Sequence, residues 1–359
     1  MDKSSTNKNK LVHGLIAISL LLVPYSLLAC TAFAIKKDKQ IYLAKNLDWE
    51  ISNGIVLVNK KGVYKTAYSK KANKLTWVSK YGSVTFNQFG KEFPLGGMNE
   101  KGLVIEELNS WGETPKSDNK YELNEFQWTQ FCLDNFANTE ELLTTIDSIV
   151  IVPLFINLHY LISDSKGNIA IIEFYNGKTY IYKDEDIPYP VLSNNHYESS
   201  LKYVSNFNGF GGNMEIRPEN TSNDRFVKVA SVIKMKEQML LDKKIVFKTL
   251  DYVSQEDTQW SIVYDISNKS IHFKTSQNKT IKTIELNEFD FTCKTLTSFI
   301  DINNDEIVIA ETSLKKLEPN DNENLVIDVF EKYKYYNLGE LSKVEFLKLV
   351  EYGNSISCK

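Results

Sequence analysis

The stretch Leu27-Leu28-Ala29-Cys30-Thr31-Ala32-Phe33-Ala34-Ile35 is followed, after the polar turn Lys37-Asp38-Lys39, by Ile41-Tyr42-Leu43-Ala44-Lys45-Asn46-Leu47-Asp48-Trp49. Residues 31–36 and 41–46 read as two strands joined by that turn. A folded domain therefore starts at once after Cys30. What precedes Cys30 has another character. Lys3, Lys8 and Lys10 form a positive region, residues 11–29 are apolar, and Ala29 is a small residue at a cleavage edge. That is the pattern of an export signal. As a permanent span the run is near the lower length limit, and Pro24 and Ser26 interrupt it. The expectation is that residues 1–29 are removed, that the protein works in the periplasm or outside the cell, and that its working group is its new N-terminus.

Composition narrows the classes. The chain has 359 residues and a formal net charge of −4, with 42% hydrophobic and 12% aromatic residues, enough to bury a core. No basic tract points to nucleic acid. The four cysteines, Cys30, Cys132, Cys293 and Cys358, show no CxxC and no metal spacing. With Cys30 reserved for chemistry, a Cys293–Cys358 bridge is open to an exported chain. Cys132 sits in an apolar helical stretch and reads as a small buried hydrophobe. No HExxH, GxSxG or GxGxxG occurs, and no cofactor is expected.

Further along, 54–59, 83–86 and 102–108 read as strands. The lysine-rich 60–80 reads as solvated, with Trp77 as an anchor, and Gly96 to Gly102 reads as turn chemistry. Helices are expected over 124–136 and from Asn138 to about Ser148. A meander at 158–163, 169–174 and 179–182 has turns at Asp164-Ser165-Lys166-Gly167 and Asn176-Gly177. Asn223-Asp224 reads as the cap of a helix reaching about Leu240; 244–253 is another, and 260–266 with 270–275 a hairpin. Helices at 323–335 and 341–352 form a C-terminal appendix, so that 30–286 is the main domain and 287–359 either part of it or a small extension. The order lacks regular βαβ alternation, and antiparallel sheets covered by helices fit better.

Histidine is scarce: His13 leaves with the leader, and His159, His196 and His272 lie in no nucleophile–base context. An N-terminal cysteine needs no histidine. Cleavage before Cys30 frees an α-amine, a group whose ordinary pKa is about 7.7–8.0. That amine can take the thiol proton and return it to a leaving amine. A rival use of the same cysteine is lipidation at Leu27-Leu28-Ala29-Cys30, which would make an anchored binding protein. The strand that starts right after Cys30 argues against a flexible tether.

Cys30-Thr31 followed by Lys45-Asn46-Leu47-Asp48-Trp49 resembles the choloylglycine hydrolase family, the bile salt hydrolases and penicillin V acylases. Gly97-Met98-Asn99-Glu100-Lys101-Gly102-Leu103 ending at Asn109, Val191-Leu192-Ser193-Asn194, Asp224-Arg225-Phe226-Val227 and Thr258-Gln259-Trp260-Ser261 extend the resemblance over about residues 30–285. It implies an α+β fold, an N-terminal-nucleophile αββα sandwich of two antiparallel sheets between helical layers. It implies Cys30 as nucleophile, Asp48 holding its amine, Asn194 and Asn109 as oxyanion donors, and Arg225 stabilising the charged site. Arg225 has support of its own. It is one of two arginines, with Arg217, against forty lysines, which suggests a need for the planar fork. Many relatives carry arginine where this chain has Lys45, which keeps charge near the thiol but loses bidentate geometry. The segment between Asn194 and Arg225, with Gly209, Gly211 and Gly212, is short and reads as a mobile loop, as in the Gram-negative branch. The function implied is hydrolysis of a linear non-peptide amide; an acyltransferase of the same fold is the neighbouring alternative. The expected partner is a small-molecule amide, with no membrane contact after leader removal unless Cys30 is lipidated, and with homo-oligomerisation open.

Overall fold

The computed structural model describes residues 29–116, 119–356 and 358. The expected leader, Ala29 apart, lies outside the described residues. Two large sheets organise the rest. From edge to edge the first runs Val191–Leu192, Thr31–Lys37, Gln40–Asp48, Thr258–Asp265, Ser270–Thr275, Lys282–Glu285, Val308–Ile309. The second runs Lys178–Lys183, Ile169–Tyr175, Leu158–Ser163, Val104–Asn109, Pro94–Asn99, Ser83–Asn87, Ile55–Asn59, Ser298–Asp301, Lys315–Lys316. Every neighbouring pair in them is antiparallel except Lys282–Glu285 with Val308–Ile309. Local chemistry explains the hairpins. At Asn176-Gly177 both residues have positive φ, 52° and 68°, as a two-residue turn of this hand requires.

Helices cover the outer faces. Glu125–Asn135 lies on the strands Pro94–Asn99 and Val104–Asn109. Ser222–Lys234 and Lys243–Tyr252 lie on the first sheet. Each starts at a side-chain cap: Asn124 accepts from the Gln127 amide at 2.8 Å, Thr221 from Asp224 at 3.3 Å, and Asp242 from Ile245 at 2.9 Å. Thr221, not Asn223-Asp224, is the cap of the second helix, because its hydroxyl reaches the amide three residues on. The helix that starts after Asn138 ends at Leu143; the β-branched Ile149-Val150-Ile151 forms a strand parallel to Tyr121–Leu123.

Two further expectations need correction. Gly96 and Gly97 lie inside the strand Pro94–Asn99, not in a turn. A Cβ on Gly96 would sit 2.4 Å from a carboxylate oxygen of Glu106, so the glycine makes room for a neighbour. The lysine-rich 60–80 is only partly solvated. It holds the small hairpin Tyr64–Thr66 and Thr76–Val78, and Lys65 is fully buried. Its ammonium lies 2.6 Å from Glu92 and 2.9 Å from Asp134, and Asp134 also accepts from the Trp77 indole at 2.7 Å. Trp77 is thus the anchor expected, and Lys65 a second one that its charge disguised.

Beyond residue 286 the chain adds two strands to the second sheet, Ser298–Asp301 beside Ile55–Asn59 and Lys315–Lys316 beside Ser298–Asp301, and one to the first, Val308–Ile309 beside Lys282–Glu285. The helices Pro319–Tyr335 and Lys343–Ser355 then fold on each other. Phe346 meets Phe155 at 5.4 Å and Phe89 at 6.2 Å between ring centres. Cys293 and Cys358 form a disulfide, and Cys132 is free and buried.

Replacing Lys65 by Met removes the cation that contacts both enclosed carboxylates, Glu92 and Asp134, and leaves only the more distant Lys91. The expected cost at neutral pH is about 3–5 kcal/mol. It should shrink as pH falls, since protonation removes the buried charges. Urea unfolding at pH 7 and pH 4 checks both parts; a loss under about 1 kcal/mol at pH 7 would mean the carboxylates are hydrated.

Candidate active site

The site grows from strand register. Thr31 stands opposite Asn46, and Ala32 opposite Lys45. Side chains alternate along a strand, so Cys30 and Ala32 share one face and Thr31 takes the other. Cys30 therefore lies on the face of Lys45, directed between the sheets, while Thr31 faces the helical layer. Cys30 is only 2% exposed. Burial pushes its thiol up to about 11; Lys45 is the largest influence in the opposite direction, and Arg225 adds a smaller one.

Lys45 does not point to solvent. Its ammonium meets Glu106 of the opposite sheet at 2.9 Å and donates to the Leu95 carbonyl at 3.1 Å. Glu106 accepts from the Tyr264 hydroxyl at 2.5 Å on its other oxygen. Burial works against the ammonium, but Glu106, with Cys30 and Glu107 behind it, outweighs burial and holds the Lys45 pKa above its ordinary value.

Arg225 comes from the first turn of Ser222–Lys234 and is 1% exposed. Its Nε donates to Thr31 Oγ1 at 2.7 Å, one terminal nitrogen to the Asn220 carbonyl at 2.8 Å, and the other to the Cys30 carbonyl at 3.2 Å and Asn194 Oδ1 at 2.8 Å. Every arm of the fork is used, which a lysine could not reproduce. Asn194, just past the edge strand Val191–Leu192, donates its Nδ2 to the main-chain carbonyl of Asn109 at 3.0 Å. Both ends of this amide are held, so its plane is fixed, and it ties the first sheet to the end of a second-sheet strand.

Asp48 closes the other side. The Thr258 hydroxyl donates to Oδ1 at 2.5 Å, and Gln255 Nε2 to Oδ2 at 3.2 Å. Burial raises the carboxyl to about 6, against both donors and Arg225. The Asp48 main-chain carbonyl accepts from the Ala29 amide at 3.4 Å, and Gln255 Nε2 also donates to the Ala29 carbonyl at 3.2 Å. The peptide joining Ala29 to Cys30 thus lies among these groups.

Of the six residues singled out from the sequence, Cys30, Arg225, Asn194 and Asn109 are joined by hydrogen bonds, Asn109 through its main-chain carbonyl; Asp48 reaches Ala29 and Cys30 through its main chain, and Lys45 acts on Cys30 through charge. Thr31, Gln255 and Glu106 were missed. Glu106 carried a signal, a charge inside the apolar run 103–108, which demands a partner when buried. Gln255 carried none. Histidine takes no part: His159 pairs with Glu173 at 3.0 Å within the second sheet. Among the described residues no group of three or more His, Cys, Asp or Glu side chains could hold a metal ion.

Two largely antiparallel sheets between helical layers, with a cysteine at the head of the strand next to one sheet's edge, define the N-terminal-nucleophile hydrolase fold. Penicillin V acylase from Agrobacterium tumefaciens superposes with a TM-score of 0.71 at 25% identity, covering 81% of this chain and 98% of that one. A mutant of the conjugated bile acid hydrolase from Clostridium perfringens superposes at 0.63 and 17% identity, covering 79% and 99%, a likeness of fold alone. Penicillin V acylase from Pectobacterium atrosepticum is 28% identical over 256 residues, 65% of this chain and 67% of that protein. Residues 30–299 match the linear amide C–N hydrolases, choloylglycine hydrolase family. The chain belongs to that family and is a linear amide C–N hydrolase.

Replacing Thr258 by Val removes the shorter hydrogen bond to Asp48. A donor to a carboxylate favours its charged form, so its loss should move the Asp48 midpoint upward from about 6. One charge-assisted bond corresponds to about tenfold in the protonation equilibrium. Carboxyl-carbon NMR titration reads it, and an unmoved midpoint would show that the hydroxyl does not hold the charge.

Proposed function

We propose that the protein is an exported cysteine amidase that cleaves a linear non-peptide amide, of the penicillin V, bile salt or N-acyl amide type, through an acyl-enzyme on Cys30. The observation that carries this reading is the Arg225 fork, which joins the Cys30 carbonyl to the Asn194 amide at 3.2 and 2.8 Å. Nucleophile and oxyanion donor are thereby held in one rigid frame. With Ala29 attached the thiol is pushed up to about 11, and so is largely protonated at neutral pH. Loss of the leader supplies the missing base. The freed α-amine of Cys30, held by Asp48, takes the thiol proton; the thiolate attacks the amide carbon. The Asn194 side chain, with Asn109 beside it, faces the oxyanion that forms. The ammonium of Cys30 protonates the departing amine, leaving a thioester that water hydrolyses. The likeness to two penicillin V acylases favours acylated amines as substrates. A lipid anchor on Cys30 fits less well, because its chains would have to leave from a side chain that is 2% exposed.

Export is checked by cell fractionation and by the intact mass of the mature protein, which should begin at an unmodified Cys30; a lipidated Cys30 would favour the anchor. Product analysis with added amine acceptors separates hydrolysis from acyl transfer.

Cys30→Ser should keep the fold and lose nearly all turnover of penicillin V or a conjugated bile acid, serine being the weaker nucleophile near neutral pH. Wild-type turnover in this variant would remove Cys30 from the mechanism. Asn194→Ala should lower kcat by about 10²–10³ with little change in KM, the signature of a donor that acts in the transition state. A change in KM alone would reassign Asn194 to substrate binding.

A further inference from the structure

We propose that Glu106 is a positioning residue for amide hydrolysis: from the second sheet it holds the Lys45 ammonium beside the Cys30 thiol, and this keeps the cation that favours the thiolate. The proposal rests on Cys30 as the nucleophile. Its geometry is independent of that role. The two charged side chains are 3% and 1% exposed and meet at 2.9 Å across the space between the sheets. Glu106 is fixed on three sides. Lys45 lies at one oxygen, the Tyr264 hydroxyl at the other at 2.5 Å, and bare Gly96 presses against the carboxylate. A side chain at 96 would displace it. Lys45 is fixed as well, by its bond to the Leu95 carbonyl.

The register gives the pair its direction. Lys45 and Cys30 stand on the inner face of neighbouring strands, while Glu106 belongs to the facing sheet, about 10 Å away in a packed sandwich. The carboxylate therefore reaches the ammonium from the facing sheet, whereas the thiol belongs to the same sheet as the ammonium. Lysine, unlike arginine, gives up its proton readily when buried. Glu106 is the largest influence that keeps the proton on Lys45; without it burial favours the neutral amine, and the thiol would lose its strongest positive influence. Glu107 of the same strand also acts on Lys45 from further away, its side chain turned to Thr129 of the covering helix at 3.2 Å. Asp48 and Arg225 face Cys30 from the opposite side. Among the described residues Glu106 alone contacts the ammonium as a carboxylate.

The test is the pH dependence of iodoacetamide alkylation at Cys30 in the mature protein, in a Cys132→Ser background, for Glu106→Gln, Lys45→Met and the double variant. Glu106→Gln should raise the alkylation midpoint and slow the reaction at pH 7 about tenfold, in the same direction as Lys45→Met. The double variant should match Lys45→Met alone, since the carboxylate acts only through the ammonium. kcat/KM should follow the same shift, with KM little changed, and Glu106→Asp should restore part of it. A midpoint that falls or stays in Glu106→Gln, or additive effects in the double variant, overturns the proposal. If Glu106→Gln does not fold, Tyr264→Phe, which removes the hydroxyl from the same carboxylate, should move the midpoint the same way by less; no movement overturns it equally. Alkylation reads the thiol whether or not it is the nucleophile. Turnover by Cys30→Ser would therefore sink the catalytic reading while leaving the Glu106 result standing.

Discussion

The active-site architecture depends on one buried guanidinium. Arg225 reaches the main chain at Cys30, the hydroxyl of Thr31, the carbonyl of Asn220 and the amide of Asn194. These groups come from the head of the strand Thr31–Lys37, a loop, and the residues just past the edge strand Val191–Leu192. The ladder between those two strands ends at Ala32 and Leu192, short of Cys30 and Asn194. A planar donor set of fixed angle sets their spacing instead, and each bond to a charged donor is worth more than a neutral one. Because the helix that carries Arg225 packs on the sheet that carries Cys30, any shift of helix against sheet would be felt at Cys30.

The same constraint explains the distribution of polar groups around Cys30. On the outer face Thr31, Arg225 and Asp48 hold the main chain at Ala29 and Cys30. On the inner face Lys45 and Glu106 act through charge. The strand alternation separates the two tasks, one geometric and one electrostatic, with a single residue, Cys30, exposed to both. Asn194 links them to the second sheet through the carbonyl of Asn109 at 3.0 Å.

Much of this was legible in the sequence for a local reason. Turn chemistry at Asn176-Gly177 and caps such as Asn138 act over two to four residues, and the meander and the start of the helix Thr139–Leu143 were found where those signals stood. Element order pointed to antiparallel sheets covered by helices, and the αββα class came from the family resemblance that the motifs carry. What was not legible depends on distant partners. Gly96 looks like a turn residue until Glu106 is seen against it. Lys65 looks solvated until Glu92 and Asp134 close on it. Gln255 is an ordinary loop glutamine until the strand Thr258–Asp265 brings it to Asp48 and Ala29. In each case the side chain's meaning lies with a group far along the chain that no local pattern names.

The enclosure of the charged pairs has a consequence for solution behaviour. Dissolved ions weaken attractions between charges they can surround, over a Debye length of about 8 Å at physiological ionic strength, and reach buried pairs far less. Lys45 with Glu106, and Lys65 with Glu92 and Asp134, are sealed by the sheets and the first helix. The electric environment of the thiol is therefore insulated from the brine outside. An enzyme built this way can meet wide swings in external salinity with its internal charges unaltered, and what salt changes in it is confined to the surface.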